Sequence, residues 1–108
     1  MISASLRQLE YFVAAVDTGT VTGAAARCSA SQAAVSAGLN DLEAALGMQV
    51  LVRRPAKGVA LTPGGERMLP IARRMLADAE DLHSLADAEQ GRVSGRLRIA
   101  CTVALSPR

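Results

Sequence analysis

The feature that most constrains this 108-residue chain is how little separates two of its amphipathic runs. Val21, Ala24, Ala25 and Cys28 recur at helical spacing after Thr20, a side chain suited to capping a helix. Only Ser29 and Ala30 then precede Ser31, a second capping residue. From Ser31 the apolar positions Val35, Leu39, Leu42 and Leu46 follow at intervals of four, three and four, and Gly47 is a natural stop. Two helices joined this tightly must turn sharply, and neither has enough apolar surface to stand alone. A third run precedes them: Leu6, Leu9, Phe12, Val13 and Val16 after Ser5, ending at Asp17-Thr18-Gly19. The spacing predicts three short helices packed as a small bundle.

The period then changes. Val50-Leu51-Val52 and Val59-Ala60-Leu61 are short β-prone runs separated by Arg53-Arg54-Pro55-Ala56-Lys57-Gly58, which predicts a two-stranded hairpin with a basic tip. Thr62-Pro63 reads as a helix cap followed by proline in the first turn, and up to Gln90 only Pro70 opposes a long helix. Along it Met68, Ala72, Met75, Ala79, Leu82 and Ala86 alternate by four and three, flanked by Leu69, Leu76 and Leu85. This is a heptad seam. A helix projecting from a small bundle cannot bury such a seam on its own domain, so the six positions are expected to form a dimer interface. Gly91 and Gly95 bracket a break, and Leu97 to Cys101 then alternates like the first strand of a further domain.

Composition supports a need for partners. The chain has 21 Ala, no Trp and one each of Phe and Tyr, so the core must be built from small aliphatics. Such a core buries little area at about 25 cal/mol per Å² and should be only marginally stable alone. Gly23 and Gly38 fall inside predicted helices, where glycine costs about 0.8 to 1 kcal/mol relative to alanine. Gly38→Ala is therefore expected to stabilise the fold by about 0.5 to 1 kcal/mol.

Charge is uneven. Residues 1–66 carry five basic and five acidic side chains, residues 67–91 three against five, and residues 92–108 four arginines with no acid. The net charge of +2 therefore sits in the tail and does not by itself indicate a nucleic-acid partner. No paired carboxylates, no nucleophile beside a base and no metal-ligand cluster are spaced for chemistry, which argues against an enzyme. Cys28 and Cys101 lack a zinc-type pattern, so no metal is expected. Nothing resembles a signal peptide or a run of about 18 apolar residues, so a cytoplasmic protein with no membrane partner is expected.

A short helix, a tight turn, a longer helix and a hairpin with arginines at its tip make the winged helix-turn-helix arrangement. The fold expected is mostly α: three helices plus a β-hairpin wing over residues 1–62, a long dimerisation helix over 63–90, and a hinge with the first strand of a truncated domain over 91–108. On the third helix, the face opposite the apolar one presents Gln32, Ala33, Ser36, Ala37 and Asn40. Gln reads adenine bidentately, Ser serves several acceptors and Ala meets a thymine methyl. Ser31 serves as cap and phosphate contact, and Arg53, Arg54 and Lys57 suit phosphates.

Ala24-Ala25, Ser31-Gln32-Ala33-Ala34-Val35-Ser36, Leu39, Leu42-Glu43, Leu46-Gly47, Arg53, Gly58-Val59 and Leu61-Thr62-Pro63-Gly64-Gly65, in this order, resemble the N-terminal region of LysR-type transcriptional regulators. The resemblance begins at Leu6-Arg7-Gln8-Leu9 with Phe12 and extends to Gly95-Arg96-Leu97-Arg98-Ile99. It implies a bacterial, nucleoid-associated regulator that binds double-stranded operator DNA as a homodimer, with tetramers open to the full-length protein. It also implies the third helix in the major groove, the wing on backbone or minor groove, no cofactor in this chain, and a small-molecule effector only for the missing C-terminal domain. The chain departs from the family pattern at Ala33, commonly Pro, at Ala37, often Arg, at Gly38, commonly Gln or His, and around Asn40 and Asp41, commonly basic. Its third helix has no basic residue. A protein-interaction module of the same fold, with DNA binding weak or lost, is the alternative reading.

Overall fold

The computed structural model describes residues 3–99, with side chains through residue 91. The described elements are α1 (Leu6–Thr18), α2 (Val21–Cys28), α3 (Gln32–Leu46), β1 (Leu51–Arg54), β2 (Gly58–Leu61) and α4 (Pro63–Ile99). Each of the first three helices begins at the cap its sequence indicates. Ser5 Oγ accepts the Gln8 amide while Gln8 Oε1 accepts that of Ser5, Thr20 Oγ1 accepts from Gly23, and Ser31 Oγ accepts from Ala34. Their C-caps, Gly19, Ser29 and Gly47, all adopt the left-handed conformation.

The chain divides into two units, Met1–Leu76 and Ala77–Arg108. In the first, α1 packs on both α2 and α3, and α2 on α3. Phe12, Val35, Leu39, Leu42, Val50 and Leu51 are fully enclosed, and Ala14, Ala15, Ala24 and Ala25 line the same core. The alanines allow close helix approach, which is how a chain poor in aromatics still builds a closed interior. The last core-facing position expected on α3, Leu46, is exposed, and it lines an apolar groove with Leu6 and Leu9 of α1 and Met68 of α4.

β1 and β2 form an antiparallel pair in register Leu51↔Leu61 to Arg54↔Gly58. Arg53 and Arg54 thus lie on the strand, and only Pro55, Ala56 and Lys57 turn. Val50 precedes the strand and is core. Its amide and that of Leu51 donate to Glu43 Oε2, at 2.8 and 3.1 Å, so a carboxylate on α3 holds the start of the hairpin.

The opening turns of α4 belong to the first unit, so its boundary lies beyond residue 62. Ala72 is 1% exposed and Met68, Leu69 and Leu76 pack against the core. Two of the six expected seam positions, Met68 and Ala72, therefore turn inward. Met75, Leu82 and Ala86 are exposed, Leu82 at 66%, and Ala79 is half-buried. A heptad pattern reports one helical face, and the same face meets its own domain first and solvent later.

The helix carries through Pro70, which is exposed, so water can take the carbonyl that proline leaves without a donor. It also continues past Gln90 to Ile99, through Gly91 and Gly95. Leu97–Ile99 are helical and not the strand their alternation predicts. Among the described residues the wing hairpin is the only sheet, and a helix satisfies its own backbone groups where a lone strand does not. Ala100 and Cys101, and the remainder of the expected strand and domain, lie outside the described residues.

Candidate nucleic-acid interface

The core of α3 decides what the helix shows to solvent. With Val35, Leu39 and Leu42 enclosed, Gln32, Ala33, Ala37 and Asn40 are exposed and Ser36 is half-buried, as the periodicity indicates. The Ser31 hydroxyl is engaged as the cap, 3.0 Å from the Ala34 amide. The only charged residues in the helix are Asp41 and Glu43, and the Glu43 carboxylate faces the hairpin amides. The exposed face is therefore small, polar and uncharged from Gln32 to Asn40.

Positive charge sits on the wing. Arg53, Arg54 and Lys57 are exposed and make no ion pair among the described residues. They line an open groove of about 700 Å³ together with Pro55, Ala56, Gly58 and Val59 on the hairpin and Thr20 and Val21 at the start of α2. Neither α2 nor α3 has an acidic residue in its first turn, so both positive helix ends are uncompensated. Thr20 and Val21 were not legible as wing neighbours in the sequence. The link is made by Gly58, at φ 78°, whose missing Cβ would collide with the Gly19 carbonyl, and by the Val59 amide, which donates to that carbonyl at 2.9 Å. The paired signals were a glycine at each end of the contact.

The body beneath is tied at its edges. Asp17, near the end of α1, accepts from Arg73 of α4 at 2.6 and 3.2 Å and from Arg27 of α2 at 3.2 Å. The Arg73 hydrogen bond is the main reason that its carboxyl titrates below the usual aspartate range. Cys28 is half-buried against the core, and burial pushes its thiol up, away from reactivity.

Residues 6–66 match the family described as bacterial regulatory helix-turn-helix protein, lysR family. EstR, an HTH-type transcriptional regulator of Acinetobacter baylyi, is 40% identical over 103 residues, which is 95% of this chain and 34% of EstR. The CbnR DNA-binding domain, solved in complex with DNA, superposes with a TM-score of 0.71 at 35% identity, over 80% of this chain and 98% of that one. The BenM DNA-binding domain, in complex with benA site 1 DNA, gives 0.70 at 32% identity, over 78% and 96%. The chain belongs to the LysR family of transcriptional regulators and has the winged helix-turn-helix fold of its DNA-binding domains. It spans about a third of the length of the curated relative EstR. No described helix is long and apolar enough to cross a membrane.

Proposed function

We propose that this module binds operator DNA sequence-specifically, as a homodimer, to control transcription. The observation that carries the reading is the juxtaposition of a neutral, small-residue helix face with a cationic wing pinned to the α1–α2 turn, in a fold shared with domains solved on DNA. Gln32, Ala33, Ser36, Ala37 and Asn40 would enter the major groove and read base edges. Arg53, Arg54 and Lys57 would hold phosphates on the backbone or beside the minor groove, with Ser31 at the α3 N-terminus. The second chain would be engaged by what the first unit leaves uncovered, Met75 on its own surface, and by Leu82 and Ala86 with Leu85 farther along α4. Ala79 would complete that seam. Tetramers and a small-molecule effector belong to longer regulators built on this module. No cofactor is assigned to the module, and its place is the bacterial cytoplasm at the nucleoid.

The test is a fluorescence anisotropy titration across a salt series, with one duplex drawn by the protein from a randomised pool and one random duplex. Each phosphate contact removed lowers the log-affinity against log-salt slope by about 0.9, whereas a lost base contact costs about 1 to 3 kcal/mol on the chosen site only. Arg53→Ala should weaken both duplexes and flatten the slope, and Gln32→Ala should weaken only the selected one. Leu82→Asp should lower the sedimenting mass to a monomer and weaken the selected duplex. If the protein shows no salt-dependent binding to any duplex, the interaction-module reading replaces this one.

A further inference from the structure

The contact between Gly38 and Tyr11 opposes the stabilisation that helix propensity alone would give Gly38→Ala. A Cβ built at Gly38 would lie 2.5 Å from Tyr11 Cδ2 and 2.7 Å from Cε2, closer than carbon atoms approach. The ring cannot step aside easily, because Tyr11 is only 8% exposed and sits within the α1 core surface. Its outer edge is held as well. Arg7, one turn earlier on α1, places its guanidinium carbon 5.0 Å from the ring centroid and donates from Nε to the Tyr11 hydroxyl at 3.2 Å. The same guanidinium donates from Nη2 to the carbonyl of Cys28, the last residue of α2, at 2.9 Å, and from Nη1 to Glu10 at 3.1 Å.

One side chain pair therefore touches both limbs of the helix-turn-helix. The Tyr11 ring fills the space that Gly38 leaves on α3, and Arg7, seated on that ring, ties down the C-terminus of α2. Gly38 follows Ala37 and lies two residues before Asn40, both on the exposed reading face. A shift of the helix at 38 is transmitted directly to the side chains that would meet bases.

We infer that Tyr11, seated against Gly38 and clasped by Arg7, is a positioning residue that sets the attitude of α3 and hence its discrimination between DNA sequences. The inference rests on the operator-binding reading. It predicts that sequence preference, rather than general DNA attraction, depends on a residue that is itself inside the domain. Base-edge hydrogen bonds demand placement to within about 0.5 Å, while phosphate attachment through flexible wing side chains does not.

The experiment uses the whole 108-residue chain, a duplex selected by the wild type from a randomised pool, and a random duplex. Binding is measured below the melting transition of each variant, checked by far-ultraviolet circular dichroism. Gly38→Ala and Tyr11→Ala should each lose about tenfold on the selected duplex, the size of one base contact, while the random duplex and the salt slope stay unchanged. The double variant should be no worse than either single one, because both disturb the same seat. Arg7→Met, which adds no bulk to the core, should lose about threefold on the selected duplex alone and so decides the matter if Gly38→Ala does not fold. The positioning role is overturned if Gly38→Ala melts lower yet keeps full sequence preference, or if the two losses multiply. It is equally overturned if Arg7→Met weakens both duplexes and flattens the slope, which would make Arg7 a phosphate contact. Should the wild type select no sequence and show no salt-dependent binding, the operator reading itself fails and takes the positioning role with it.

Discussion

Helix α3 and the wing make opposite use of charge while resting on the same support. The exposed face of α3 offers Gln32, Ser36 and Asn40 and no cation, whereas the wing offers Arg53, Arg54 and Lys57 and little shape. Both are seated on α1 through a missing Cβ: Gly38 against the Tyr11 ring, and Gly58 against the carbonyl of Gly19, the α1 C-cap. Under the proposed function the difference would divide attachment and selectivity between two elements, and the similarity would make α1, which presents no base-reading residue, the support of both. Long-range electrostatics tolerates a mobile wing, but hydrogen bonds to base edges do not tolerate a mobile helix.

The most direct way to break the comparison is to cut the connection between the two elements. Glu43 on α3 accepts the amides of Val50 and Leu51, which are both buried at the root of the wing. Glu43→Ala should destabilise the domain by about 2 to 3 kcal/mol, because it leaves two enclosed N–H groups without an acceptor. Chemical denaturation followed by circular dichroism measures this, and a loss below about 0.5 kcal/mol would mean that water replaces the carboxylate.

A smaller effect should separate the seat of the wing from that of the helix. Gly58→Ala forces a Cβ toward the Gly19 carbonyl at a positive φ, and overpacking of this kind costs about 1 to 3 kcal/mol. Thermal melting should show the loss. If DNA binding follows the proposed division, the surviving folded protein should also lose affinity for selected and random duplexes alike, in contrast to Gly38→Ala. Equal sequence preference in both variants would erase the distinction between the two seats.

The smallest expected effect concerns the end of α1 that carries the wing contact. Asp17 has its folded-state titration lowered, chiefly by the Arg73 hydrogen bond, so it binds a proton less readily folded than unfolded. Its contribution is therefore present at neutral pH and is lost as pH falls through and below the ordinary aspartate range. With partners this exposed the contribution is about 1 kcal/mol or less. Asp17→Asn should remove that portion of the acid-induced loss of stability and leave the neutral-to-alkaline limb unchanged in shape, as followed by melting temperature against pH.

Much of the fold is legible along the chain because its signals are local. Ser5, Thr20 and Ser31 cap the helices they precede, and Gly19 and Gly47 end two of them, since each side chain or backbone group acts on amides or carbonyls within four residues. The exposed face of α3 follows equally directly from the spacing of Val35, Leu39 and Leu42. What is not legible lies between residues far apart in sequence. Tyr11 and Gly38 are separated by 27 positions, Gly19 and Gly58 by 39, and Asp17 and Arg73 by 56. Nothing in a propensity scale states that the glycine penalty at 38 is outweighed by the ring that needs its space.

By itself the sequence determined the order and caps of α1, α2 and α3, the presence of a basic hairpin, the absence of cations from the reading helix and the membership of the LysR family. These follow from periodicity, capping chemistry and the ordered set of matching residues, all of which are properties of the chain before it folds. Only the tertiary structure decided that Met68 and Ala72 serve the domain's own core while Met75 and Leu82 remain exposed, and that Arg53 and Arg54 stand on a strand with Lys57 in the turn. It also decided that alanine at 38 collides where an isolated helix would welcome it. The physical reason is common to all three: amphipathic spacing specifies that a face will be covered, and packing alone specifies by what.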